Sequence, residues 1–165
     1  MSVTDALVDV RGPRFGAWVT TVVLAVVLIT SSTVLLAIQA AVFLVGAAAG
    51  LRWAPYGIVF RTLVRPRLGP PTEFEGEAPP RFAQAVGAVF ALVGTVGFAV
   101  GLPALGLAAT ALAFAAAFLN AAFGFCLGCE MYLLFRRATT RSSDVHPSDA
   151  AGSAASSVTR RGAEV

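Results

Sequence analysis

The chain has 165 residues, 57% of them hydrophobic, and a formal net charge of +3 in which every one of the 12 basic residues is arginine. A mean hydropathy of +0.79 is too apolar for a soluble domain of this length and ordinary for a small helical membrane protein. The modest positive balance speaks for membrane topology and anionic lipid heads rather than nucleic acid, which calls for a basic patch on a soluble fold.

Residues 1–12 form a short polar lead, expected in the cytoplasm, ahead of a membrane domain over residues 13–137. From Phe15 to Leu51 there is no Asp, Glu, Lys or Arg. One bilayer crossing needs about 20 apolar residues, so this stretch holds two, divided by Ser31, Ser32 and Thr33 into spans over 15–31 and 33–51. The run is too long for a secretory signal and lacks an Ala-x-Ala-like processing site, so the N-terminus is read as retained. Tyr56, Val59, Phe60, Leu63 and Val64 then repeat at helical spacing with Arg61 and Arg65 on another face. That pattern predicts an interfacial amphipathic helix over 55–65, stopped by Pro66.

Gly69 to Pro80 reads as an extended cytoplasmic loop, since its prolines forbid a continuous helix and its glutamates favour water. Phe82 to Phe135 carries a single charge, Glu130, and is broken at Gly101-Leu102-Pro103, which predicts a third span over 82–100 and a fourth over 104–124. A helix from Ala104 to Phe135 would extend roughly 48 Å against an apolar core of about 30 Å. The fourth helix must therefore tilt, kink or emerge, with residues 125–135 forming a separate cysteine-bearing segment. Residues 138–165 are rich in Ser, Ala and Thr without apolar periodicity and are expected to be a disordered cytoplasmic tail. No repeat of fixed period stands out.

The predicted fold class is thus all-α: a polytopic membrane bundle of four transmembrane helices plus one interfacial helix. With four crossings every arginine near a span lies on one side, which satisfies the positive-inside tendency. Both termini are then cytoplasmic. Gly46 and Gly50, Gly97 and Gly101, and Gly124 and Gly128 have the Gly-x-x-x-Gly spacing that lets helices approach closely in lipid.

The densest chemistry lies in Asn120 to Tyr132. Cys126 and Cys129 are the only cysteines, and an i, i+3 pair on a helix lies about 5 to 6 Å apart, within reach of a disulfide that staples nothing distant. If the helix runs unbroken, its negative end and Glu130 both oppose thiolate formation; if Gly124 ends it and a fresh helix begins near Cys126, the amide dipole favours thiolate. The second arrangement is preferred, because Gly124 and Gly128 make a break inexpensive. Cys126 and Cys129 are candidate redox residues, with Glu130 as proton acceptor or as an anchor paired with Arg81 or Arg136. The plainer reading is that the cysteines are small apolar packing residues. A metal centre needs about four ligands, and two thiols, Glu130 and the tail His146 supply them only in a dimer. No metal and no cofactor is therefore expected.

The segments Asp9–Phe15, Pro79–Gln84 and, most specifically, Asn120–Tyr132 resemble the bacterial integral-membrane proteins grouped as domain of unknown function family 4395. The likeness covers roughly Asp9 to Phe135. It implies a small multi-span bacterial membrane protein whose signature includes both cysteines, associated with neighbouring thioredoxin-like and sulfurtransferase genes, and it transfers no activity.

Three functions follow. The first is a membrane thiol–disulfide or sulfur-relay protein exchanging with a thioredoxin-like or rhodanese-like partner. The second is a non-enzymatic scaffold or transporter subunit, in a homo-oligomer or larger assembly; the third is a dimeric metal site. No phosphate-binding glycine loop, His-Glu-x-x-His helix or Gly-x-Ser-x-Gly elbow is present, so nucleotide hydrolysis, metalloprotease and serine-hydrolase chemistry lack their residues.

Overall fold

The computed structural model describes residues 7–71 and 73–141. The chain divides into two compact units, Met1–Tyr132 and Leu133–Val165. Within the first, helix α1 (Arg11–Thr30) turns at Ser31 into α2 (Thr33–Ala49), and α4 (Ala78–Ala99) turns at Gly101 into α5 (Pro103–Phe123). Between the two hairpins lie a short helix α3 (Pro55–Val59), a π-helical turn (Phe60–Val64) and a 3-10 turn (Arg65–Arg67). Helix α6 (Leu127–Arg141) follows α5 and carries the chain into the second unit. The protein is an all-α helical bundle. Helices α1, α4 and α5 are long and apolar enough to cross a membrane, while α2 is apolar but has only 17 residues.

Each turn has a local cause. Ser31 adopts a left-handed φ of 51°, and the Ser32 hydroxyl accepts the Leu35 N–H (3.3 Å), which starts α2 in the manner of an N-cap serine. Pro79 and Pro80 sit in the first turn of α4 and Pro103 opens α5, where a missing N–H has no partner to lose. Residues 78–80 are therefore helical rather than part of an extended loop.

The core of the bundle is built from Leu24 and Val27 of α1, Leu36, Ala40 and Phe43 of α2, Ala88 and Ala91 of α4, and Ala113 of α5. Alanine and glycine on α4 and α5 let backbones come close: a Cβ on Gly94 would stand 2.8 Å from a Leu36 methyl, and one on Gly97 would stand 2.8 Å from the Gly106 amide nitrogen. Outward-facing positions are apolar as well, with Ile29 83% and Val96 57% exposed. A bundle apolar inside and out matches a lipid rather than an aqueous surround. The hydroxyls of Thr21, Thr95 and Thr110 donate to carbonyls one turn back, so these polar groups are satisfied within their own helices.

Two features depart from the sequence reading. Leu7–Asp9 and Phe74–Gly76 pair as a two-stranded antiparallel sheet, β1 and β2, with Val8 opposite Glu75. Arg11 locks it, forking onto both Asp9 carboxylate oxygens (3.0 Å each) and donating to the carbonyls of Leu68 and Gly69. That guanidinium holds the Asp9 carboxyl below its ordinary range, whereas burial pushes Glu75 up. The segment expected as one interfacial helix is also split into three helical types. Tyr56 and Phe60 turn inward, Phe60 against Phe15 (5.8 Å between rings), while Val59 and Leu63, expected on the same face, are 40% and 56% exposed. The wider π turn rotates the apolar set apart.

The helix ends show a regularity invisible as a fixed period. Pro13-Arg14-Phe15 opens the first hairpin and Pro80-Arg81-Phe82 the second. Arg14 donates to the carbonyls of Ala121 (3.2 Å) and Ala122 (3.3 Å) at the end of α5. Arg81 donates to those of Ala47 (3.1 and 2.9 Å) and Ala48 (2.8 Å) at the end of α2. Each guanidinium thus satisfies orphan carbonyls and offsets the negative helix end of the opposite hairpin.

Gln39 is the only side-chain amide between Phe15 and Leu51, and it is 1% exposed. Its Oε1 accepts the Tyr56 hydroxyl (2.7 Å) and its Nε2 donates to Thr20 Oγ1 (3.5 Å), tying α3 to α1 and α2. Gln39→Leu strands the half-buried Tyr56 hydroxyl and is expected to cost about 1–3 kcal/mol, read as a lower thermal midpoint in detergent. Adding Tyr56→Phe should recover part of that loss; a double variant as unstable as the single one plus the full cost of Tyr56→Phe rules the coupling out.

Candidate functional site: the Cys126–Cys129 pair

Helix α5 ends at Gly124, whose φ of +70° is open to glycine and strained for other residues, and its N–H donates to the Asn120 carbonyl (3.0 Å). Residues 124–126 are not helical, and α6 starts at Leu127. The excess length of the last apolar run is therefore released by a break after Phe123. The Glu130 N–H donates to the Cys126 carbonyl (3.0 Å), the first bond of the new helix.

Cys126 consequently stands in the N-cap position. Its Sγ accepts the Cys129 N–H (3.3 Å), taking the place a serine or aspartate oxygen has in ordinary caps. Cys126 and Cys129 are joined as a disulfide with Cα atoms 5.2 Å apart, and both residues are partly exposed. Cys126 thus lies at the amide end of α6, with one backbone N–H, that of Cys129, directed at its sulfur.

Glu130 is exposed in the first turn of α6, where a carboxylate complements the helix dipole. Of the two anchor partners expected for Glu130, Arg81 or Arg136, Arg81 donates instead to the α2 carbonyls of Ala47 and Ala48. Among the described residues the salt bridge found is Asp9–Arg11. No group of three or more His, Cys, Asp and Glu is placed among them to hold a metal ion; His146 and most of the tail lie outside the described residues.

Two contacts missed in the sequence hold the break in place. A Cβ on Gly128, inside the Cys-x-x-Cys loop, would stand 2.6 Å from both Cα and Cβ of Ala83, so α6 rests on α4 backbone to backbone. The Tyr132 ring lies 5.8 Å from Phe82. The spacing to Gly124 singles out Gly128 in the sequence, but not its partner Ala83. In all three Gly-x-x-x-Gly pairs one glycine packs and the other bends the chain: Gly46 lies under Gln84, Gly97 on Gly106 and Gly128 on Ala83, whereas Gly50, Gly101 and Gly124 have positive φ.

A helical bundle rich in lipid-compatible surface, with a disulfide at the start of its last helix, defines the class. The chain belongs to the family described as domain of unknown function DUF4395, which it matches over residues 8–137. That range takes in both Pro-Arg-Phe helix starts and the whole cysteine segment. Neither the curated proteins nor the solved structures include a match.

Proposed function

We propose that the protein is a membrane thiol–disulfide exchange component in which Cys126 is the attacking sulfur and Cys129 the resolving one. The observation that carries this reading is the Cys126 sulfur at a helix N-cap, accepting an amide hydrogen from Cys129. In the forward direction the Cys126 thiolate attacks a partner disulfide, and one partner sulfur leaves and takes up a proton. Cys129, deprotonated, then attacks Cys126 and releases the second partner thiol. Two electrons pass to the partner, and Cys126–Cys129 closes. Run backwards, a dithiol partner reopens the closed pair. A soluble thioredoxin-like protein has the required chemistry, and sulfur relay from a rhodanese-like donor would use Cys126 as a persulfide carrier.

The supporting topology is a four-pass bundle with α2 as its shortest crossing, residues 1–12 and the segment from 138 onward in the cytoplasm, and Glu130 as a nearby proton acceptor. The starts of α1 and α4, the ends of α2 and α5, and the start of α6 gather at one arginine-bearing end. In a bacterial plasma membrane the positive-inside tendency turns that end to the cytoplasm. Thiol trapping in membranes followed by mass spectrometry is the test: the pair is expected to shift between alkylated and disulfide forms under oxidant or dithiol challenge. Cysteines that never change state remove the proposal and favour a scaffold in which they only pack.

A further inference from the structure

The arginines of the first unit fall into two groups. Arg11, Arg14, Arg67 and Arg81 all donate hydrogen bonds to the protein, whereas the guanidinium groups of Arg52, Arg61 and Arg65 donate none among the described residues. All three belong to the connection between α2 and β2, and all are exposed. Beside them the split of the connecting helix leaves Ile58, Val59 and Leu63 facing outward, 41%, 40% and 56% exposed. Phe60, buried at 3%, fastens the same segment to α1. Guanidinium groups without a protein hydrogen-bond acceptor, of which Arg65 feels Asp9 only through space, stand in one segment with exposed apolar side chains and suit a boundary where phosphate meets hydrocarbon.

We infer that Arg52, Arg61 and Arg65 form a recognition surface for anionic phospholipid headgroups, with Ile58, Val59 and Leu63 seated among the acyl chains. The inference rests on the membrane reading above and is independent of the cysteine chemistry. Guanidinium is suited to it because its planar fork meets phosphate oxygens two at a time and carries a weak hydration shell. Arg52 lies over the Trp53 ring (5.2 Å to its centre), so the site carries its own fluorescent reporter.

The chain has two tryptophans, Trp18 in α1 and Trp53, which can be observed separately in Trp53→Phe and Trp18→Phe forms of the full-length protein. Each is reconstituted into phosphatidylcholine vesicles containing an equal small fraction of brominated phosphatidylglycerol or brominated phosphatidylcholine. Trp53 is expected to be quenched preferentially by the anionic lipid, and the preference should fall by about fivefold for each guanidinium removed as glutamine. An Arg52→Lys, Arg61→Lys, Arg65→Lys form should fall between the wild type and the triple glutamine form, since it keeps the charge and loses the planar fork. Equal quenching by the two lipids overturns the inference, as does a preference unchanged by the triple glutamine substitution. Loss of the preference on adding inorganic phosphate at fixed ionic strength identifies a soluble-anion site and overturns it too. Trp18 unquenched by either lipid would remove the membrane reading itself, and this proposal with it.

Discussion

Cys129→Ser is expected to accumulate a stable mixed disulfide between Cys126 and a partner protein, while Cys126→Ser accumulates none and loses exchange altogether. The asymmetry follows from geometry. Cys126 receives the open amide end of α6 and the Cys129 N–H, whereas Cys129 sits a turn further in, with a backbone already engaged. Removing the resolving sulfur leaves the first step intact and blocks the second; removing the attacking sulfur blocks both. Non-reducing electrophoresis of membranes after rapid acid quenching, with mass spectrometry of the trapped band, reads the difference. Equal trapping by the two variants would assign no special role to the cap position. Trapping through Cys129 alone would invert the order of attack.

Gly128→Leu should be the most damaging single change near the pair that leaves both sulfurs in place. The new side chain has to enter space held by the Ala83 backbone, which cannot swing aside like the tip of a flexible residue. Overpacking of this kind costs about 1–3 kcal/mol. Here relief comes by lifting α6 from α4, which also parts Tyr132 from Phe82. The expected result is a lower thermal midpoint together with faster alkylation of the reduced cysteines. Gly128→Ala is the graded control, since even a methyl would stand 2.6 Å from Ala83 and should give a smaller shift of the same sign. A leucine form with wild-type stability and wild-type alkylation rates means that the helix contact does not position the pair.

Much of the architecture was legible because the bilayer simplifies the code. Long uncharged runs, a Ser-Ser turn and a Gly-Leu-Pro turn mark helices whose polar backbone groups have nowhere else to bond. The break after Phe123 was legible as an arithmetic surplus of helix, and Gly124 and Gly128 suggested where it would be released. What escaped the sequence was long-range. The carbonyls that Arg14 and Arg81 satisfy lie on the other hairpin, and no local pattern encodes them. The strand pairing of Leu7–Asp9 with Phe74–Gly76 joins three-residue segments too short to show alternation. The splitting of the amphipathic stretch depends on a π turn that periodicity at 3.6 residues cannot express. For the candidate site, residue types and spacing named Cys126, Cys129 and Glu130, but the hydrogen bond that distinguishes the two sulfurs exists only in the folded chain.

The crossed arginine arrangement bears on how the chain matures. Arg14 finishes a helix that ends more than a hundred residues later, and Arg81 finishes one already synthesised before it emerges. Neither half holds the groups that complete its own ends, so the earlier half waits, with carbonyls open, for the later one. Assembly is thereby reciprocal, whereas the seat of the cysteine-bearing segment on Ala83 lies wholly within the later half.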